Sequence, residues 1–145
     1  MKLQQDLREF IELLSAHEVR FVIVGAFAVA HHGYFRYTSD IDLYVDRSPA
    51  NAEKLLSAVR KFGFADLNLT ADDFQAKDQV IQFGVAPNRI DVMTFLSGVD
   101  FDEVWRSREE AELDGIKVSF ISKELLKKNK AASARPQDLA DLEYL

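Results

Sequence analysis

Cysteine is missing altogether from this sequence of 145 residues, which excludes disulfides and Cys-based zinc sites. Long hydrophobic runs are missing too: no segment approaches about 18 consecutive apolar residues, so no membrane-spanning helix is expected. The start, Met1-Lys2-Leu3-Gln4-Gln5-Asp6, lacks the apolar core of a signal peptide, and the expected location is cytoplasmic. Positive charge is in deficit, with 18 Lys and Arg against 24 Asp and Glu and a net charge of −6. That balance argues against a broad nucleic-acid surface while leaving room for a local basic patch. Internal repeats and low-complexity tracts are absent. What remains, 48% hydrophobic and 29% charged residues, is the composition of a soluble globular protein. Its length suits one domain, 1–145, with C-terminal helices from about residue 122.

Periodicity divides the chain into alternating strands and helices. Leu3, Leu7, Phe10, Ile11 and Leu14 recur at helical spacing, which predicts an amphipathic helix to about residue 17. Phe21 to Val24 is a buried strand ending on Gly25, and a short helix follows over 27–33. Asp40 to Val45 is the second strand. Ser48 and Pro49 read as an N-cap and first helical position of a helix ending near Gly63. Thr70 caps a short helix through Phe74. Val80 to Val85 and Arg89 to Met93 pair about a turn at Pro87-Asn88. A helix is expected over 101–106, a turn at Asp114-Gly115, a strand over 116–120, and a helix from Ser122 to about Ala132. Pro136 starts the last helix, with Leu139, Leu142 and Leu145 as its apolar stripe. A hairpin inside an otherwise alternating pattern predicts an α+β (mixed α/β) fold, a mixed sheet flanked by helices.

Against this background one stretch stands out, Tyr37-Thr38-Ser39-Asp40-Ile41-Asp42-Leu43-Tyr44-Val45. Residues i and i+2 of a strand share a face, so Asp40 and Asp42 stand together while Ile41, Leu43 and Val45 face a core. Two neighbouring anions repel and shift each other's pKa, and a hard divalent cation between them relieves the repulsion. An isolated Asp-x-Asp is otherwise a pair of solvent-facing aspartates. Here it follows a strand, a glycine and a helix N-terminus, where backbone N–H groups can meet phosphate oxygens. Asp91, opposite in facing to Ile90 and Val92, joins the pair if its strand lies beside theirs with matching pleat; otherwise it is an exposed aspartate paired with Arg89. Arg36 can neutralise phosphate charge or bridge to an aspartate, and Thr38 orders the loop through a backbone hydrogen bond. Adjacent helical residues diverge by about 100°, so His31 and His32 read as structural.

Gly25-Ala26, a spacer, and Asp40-Ile41-Asp42 resemble the signature of the DNA polymerase β-like nucleotidyltransferases. The run Arg36-x-Thr38-x-Asp40-Ile41-Asp42 is similar to the small bacterial members, including the AbiEii-like toxins of abortive-infection systems. Asn129-Lys130-Ala131-Ala132 with Arg135-Pro136-x-Asp138-Leu139-x-Asp141-Leu142 resembles their closing helical motif. The resemblance implies the nucleotidyltransferase fold and Mg²⁺ or Mn²⁺ held by Asp40, Asp42 and Asp91. Asp91 would also take the proton of the attacking hydroxyl. Gly25, Ala26, Arg36 and Thr38 would form the nucleotide-binding region, and Lys130 would contact phosphate. The family usually carries Gly or Ser where this chain has Ala26, which offers phosphate no hydroxyl.

The implied substrates are a nucleoside triphosphate and an acceptor that is RNA, protein or a small molecule. A cognate protein partner or a homodimer would complete the site, with no membrane involved. Two alternatives keep the fold: a catalytically degenerate interaction module of a toxin–antitoxin pair, and an antibiotic-modifying enzyme. On periodicity alone Asp138 and Asp141 are charges near a helix N-terminus beside Arg135. Lys130 is a partly solvated cation near the acidic cleft whose loss hardly affects stability.

Overall fold

The computed structural model describes residues 3–35, 38, 40–64, 68–84 and 89–145. Leu7, Phe10, Ile11 and Leu14 form the buried side of α1 (Gln5–Ala16), as their helical spacing requires. β1 (Phe21–Val24) is buried at every position and passes directly into α2 (Gly25–His31). The helix therefore starts two residues earlier than its apolar run suggests. β2 (Ile41–Val45) leads to α3 (Pro49–Val59). There the Ser48 hydroxyl accepts the Asn51 N–H at 3.4 Å, with Pro49 in the first turn. A π-helical turn, Arg60–Phe64, continues α3, and α4 (Ala71–Gln75) follows Thr70.

β3 (Val80–Phe83) and β4 (Ile90–Met93) are the expected antiparallel pair; Val85 and the Pro87-Asn88 turn lie outside the described residues. Asp100 caps α5 (Phe101–Arg106) by accepting the Glu103 N–H at 2.8 Å. β5 (Glu109–Leu113) and β6 (Ile116–Phe120) then form a hairpin. β5 is not visible in the sequence pattern because Glu-Glu-Ala-Glu carries no apolar alternation; cross-strand pairing to β6 decides its conformation. α6 (Lys123–Ser133) is capped by Ser122, and α7 (Pro136–Leu142) closes the fold.

The six strands form one mixed sheet in the order β3-β4-β2-β1-β6-β5. β1 runs antiparallel to β2 and parallel to β6, and β2 runs parallel to β4. Parallel neighbours need a crossover, and α3 with α4 supplies it between β2 and β4. The main core joins α1 and α3 to the buried side chains of β1, β2 and β4, with Phe10, Phe74 and Phe83 its largest fully buried members. This is the expected mixed sheet flanked by helices. Among the described residues, no helix is long and apolar enough to cross a membrane.

α7 departs from its expected face. Leu139 is 50% exposed, whereas Asp138 and Asp141 are buried. Leu139 thus leaves the packed side, while Leu145 of the expected apolar stripe packs against the core. Ala134, left-handed at φ 51°, ends α6 and reverses the chain. α7 consequently lies against α6 and presents its aspartates to Lys130 rather than to solvent.

Candidate active site

β2 and β4 are in register at Asp42 and Asp91, so the two side chains emerge from adjacent strands on one face. Asp91 is 7% exposed. Burial pushes the Asp42 pKa up to about 7, helped by the charge of Asp91, a hydrogen bond to Asp91 and the charge of Asp40; Lys130 pulls in the opposite direction. Asp40, just ahead of β2, shares a guanidinium with Asp91. Arg89 donates through Nε and Nη2 to Asp91 at 2.8 and 3.2 Å, and its Nη2 lies 3.4 Å from Asp40 Oδ2. The Arg89 backbone N–H also donates to Asp40 Oδ1 at 3.2 Å. Hydrogen bonding and charge from Asp91, with charge from Asp40 and Asp42, raise the Arg89 pKa further. Asp91 is thus buried and paired with Arg89 at once, rather than exposed and paired.

Gly25 has a reason for being glycine besides any approach to a ligand. Its φ is +67°, and a Cβ there would overlap Asp42 Oδ2. The residue therefore turns β1 into α2 and leaves room for the Asp42 carboxylate. Ala26 is half-buried in the first turn of α2. The Thr38 hydroxyl donates to the Asp40 carbonyl at 3.2 Å, shaping the approach to β2. Arg36 lies outside the described residues.

Lys130 is 4% exposed, and Lys127 and Lys128 on the same helix are exposed. Its Nζ donates to Asp138 Oδ1 at 3.1 Å and lies 3.1 Å from Asp141 Oδ2. The direct partners of Lys130 are therefore the two aspartates of α7, not the trio on β2 and β4, and its partly solvated character in the sequence reading is corrected. The spacing of Asp138 and Asp141 on one helical face carries this signal, but a stripe of leucines beside them obscured it. Burial alone would raise the Asp138 pKa. Hydrogen bonds from Arg135, Ser133 and Lys130, with the charge of Lys130, outweigh it and hold the carboxyl far below its ordinary range.

Asp42, Lys130 and Arg135 nevertheless line one cleft of about 470 Å³, with Gly25 at its floor on the β1 side. On the β3–β4 side the lining changes to Val80, Met93, Phe95 and Leu96. Those apolar residues carry no motif.

The histidine pair has structural contacts. His32 Nε2 donates to the Ile121 carbonyl at 2.7 Å, and the His31 ring stacks on Phe120 at 4.1 Å. The C-terminal turn of α2 brings the two rings to 4.9 Å, closer than straight helical divergence implies. With Glu109 they place three potential ligand atoms within 4.8 Å of one another.

A mixed sheet with carboxylates on two adjacent parallel strands and a terminal helical pair closing over them defines the class: a nucleotidyltransferase fold. A protein of Thermotoga maritima, TM1012, whose own assignment as a nucleotidyltransferase is provisional, superposes with a TM-score of 0.60 at 15% identity, over 95% of this chain and 88% of that one. The chain belongs to the family described as "Nucleotidyl transferase of unknown function (DUF2204)", whose model matches residues 3–145. The structure of CdnC with ATP from E. coli MS115-1 aligns at 21% identity over 94% of this chain and 46% of that one, at a TM-score of 0.33. No curated protein matches the sequence.

Proposed function

We propose that this chain transfers a nucleoside monophosphate from a nucleoside triphosphate to an acceptor hydroxyl, with release of pyrophosphate. The observation that carries the reading is the in-register Asp42–Asp91 pair, whose Asp42 lines a cleft together with Lys130 and Arg135. Asp40, Asp42 and Asp91 offer only oxygen donors, as Mg²⁺ or Mn²⁺ prefers. Asp42, its proton affinity raised by burial and by the charge of Asp91, is the carboxylate such an ion would relieve. A bound divalent ion would supply charge stabilisation at the transferring phosphoryl group. Lys130 and Arg135 contribute fixed positive charge toward the phosphates, and α7 holds both in place through Asp138. The acceptor oxygen attacks the α-phosphorus, the bond to the β-phosphate oxygen breaks, and the hydroxyl proton passes to Asp91 and on to water.

The closing motif on α6 and α7 carries the resemblance to AbiEii-like toxins and supports a toxin–antitoxin or phage-defence setting, with RNA or protein as acceptor. The non-catalytic alternative is favoured by Ala26, which withholds a hydroxyl from phosphate. Isothermal titration with each nucleotide, with and without Mg²⁺, tests the binding. Incubation of cell extract with labelled triphosphates identifies the acceptor. Mg²⁺-dependent binding abolished in Asp42→Asn is the expected result; affinity indifferent to Mg²⁺ in both proteins removes the enzymatic reading.

A further inference from the structure

Phe95 and Val80 are large apolar side chains left 52% and 56% exposed, and both line the cleft that holds Asp42 and Lys130. Their placement follows from register. Met93 lies two residues beyond Asp91 on the same face of β4, and Val80 is its partner across β3. Phe95 lies two residues further on. At about 3.3 Å per strand residue, Met93 stands roughly 7 Å along β4 from Asp91, and Phe95 lies just beyond the end of the strand. The cleft is therefore charged beside β1 and β2 and apolar beside β3 and β4.

The segment carrying Phe95 is fixed. Leu96 is buried and bridges to Val99. Asn129 Nδ2 donates to the Ser97 carbonyl at 3.0 Å. Gly98 lies so close to α6 that a Cβ would come within 2.6 Å of the Ala132 Cβ. An aromatic ring held by a rigid backbone and left open to solvent loses little freedom when a flat ligand covers it. Phe95 also lines the neighbouring cavity formed with Tyr44, Thr94 and Phe101.

Resting on the proposed nucleotide chemistry, we propose that Phe95, with Val80 and Met93, is the nucleobase subsite of this cleft. The base stacks on Phe95 while the triphosphate runs toward Lys130 and Arg135. The lining selects this occupant: one ligand must place metal-bound anionic oxygens beside Asp42, Lys130 and Arg135 and a planar apolar group beside an aromatic ring. Stacking on a ring face is tolerant of base identity, so the subsite recognises that a base is present more than which one.

Isothermal titration with Mg²⁺ plus ATP, and separately with Mg²⁺ plus inorganic tripolyphosphate, tests the subsite. Phe95→Ala is expected to weaken ATP roughly five- to a hundredfold and to leave tripolyphosphate unchanged, and Phe95→Trp to restore ATP. Val80→Ser, on the exposed rim, is expected to weaken ATP alone and by less. Equal ATP affinity in wild type and Phe95→Ala overturns the subsite while leaving the phosphate chemistry standing. Equal loss of ATP and tripolyphosphate overturns it as well, since the ring would then support only the cleft's shape. A wild type that binds neither ligand removes the proposed function and the subsite together.

Discussion

Asp42 is the residue whose environment conflicts most with its charge. Its folded pKa of about 7 lies above the unfolded carboxyl value. The folded chain therefore holds a proton that the unfolded chain releases. The sign follows: this stabilising contribution is fully present below the unfolded pKa and is lost as pH rises through about 7. The change is on the order of 4 kcal/mol across that window. Melting temperatures from pH 4 to 8 should therefore fall for the wild type and fall less for Asp42→Asn; parallel curves would show that Asp42 titrates normally. Ala26 is the second residue with a readable consequence. Ala26→Ser adds one hydroxyl beside the cleft, and a hydrogen bond to a charged phosphate contributes about 1.5–3 kcal/mol. Nucleotide affinity in calorimetry should rise about tenfold or more. Both aspartates and Gly25 were legible in the sequence, because alternation and a strand-ending glycine leave local marks. That Gly25 makes room for Asp42 was not legible, because the contact joins β1 to β2 across the sheet.

At the scale of elements, α6 and α7 act as one unit. Lys130, Asp138 and Asp141 are buried together, so removing the ammonium takes a buried counter-charge from both carboxylates, with Arg135 and Ser133 remaining on Asp138. Lys130→Met is expected to destabilise the fold by about 3–5 kcal/mol, read by urea denaturation, with Lys127→Ala near wild type as the control. The periodicity-based expectation was the opposite, a loss with little effect on stability. Helical spacing identified Lys130 as facing inward but could not identify its partners, because the turn at Ala134 decides which face of α7 meets α6. Ala134 adopts φ 51°, a conformation that costs an L-residue about 1–2 kcal/mol. Ala134→Gly should stabilise the fold by up to about 1 kcal/mol, read as a raised urea midpoint, the rest being offset by the glycine's greater unfolded freedom. An unchanged or lowered midpoint would mean that the turn is not strained.

For the whole molecule, the order β3-β4-β2-β1-β6-β5 places the Asp42 and Asp91 strands side by side although some fifty residues separate them. Strands and helices were mostly legible from local pattern. The adjacency of β2 and β4 entered only through family resemblance, and β5 not at all, since an acidic edge strand exposes what an interior strand hides. The cleft draws on β1, β2, β3, β4 and α6, together with Arg135 at the head of α7. A chain ending at residue 134 should lose Mg²⁺-nucleotide binding in calorimetry and show a lowered melting temperature, because Lys130 keeps neither anion.

The same arrangement bears on timing. Asp138 and Asp141 follow every strand of the sheet in chain order, and a chain grows from its N-terminus at about 5–20 residues per second. On a ribosome the strands carrying Asp42 and Asp91 are therefore made a few seconds before the counter-charges of Lys130. The cleft is thus completed only after both carboxylate strands have been made.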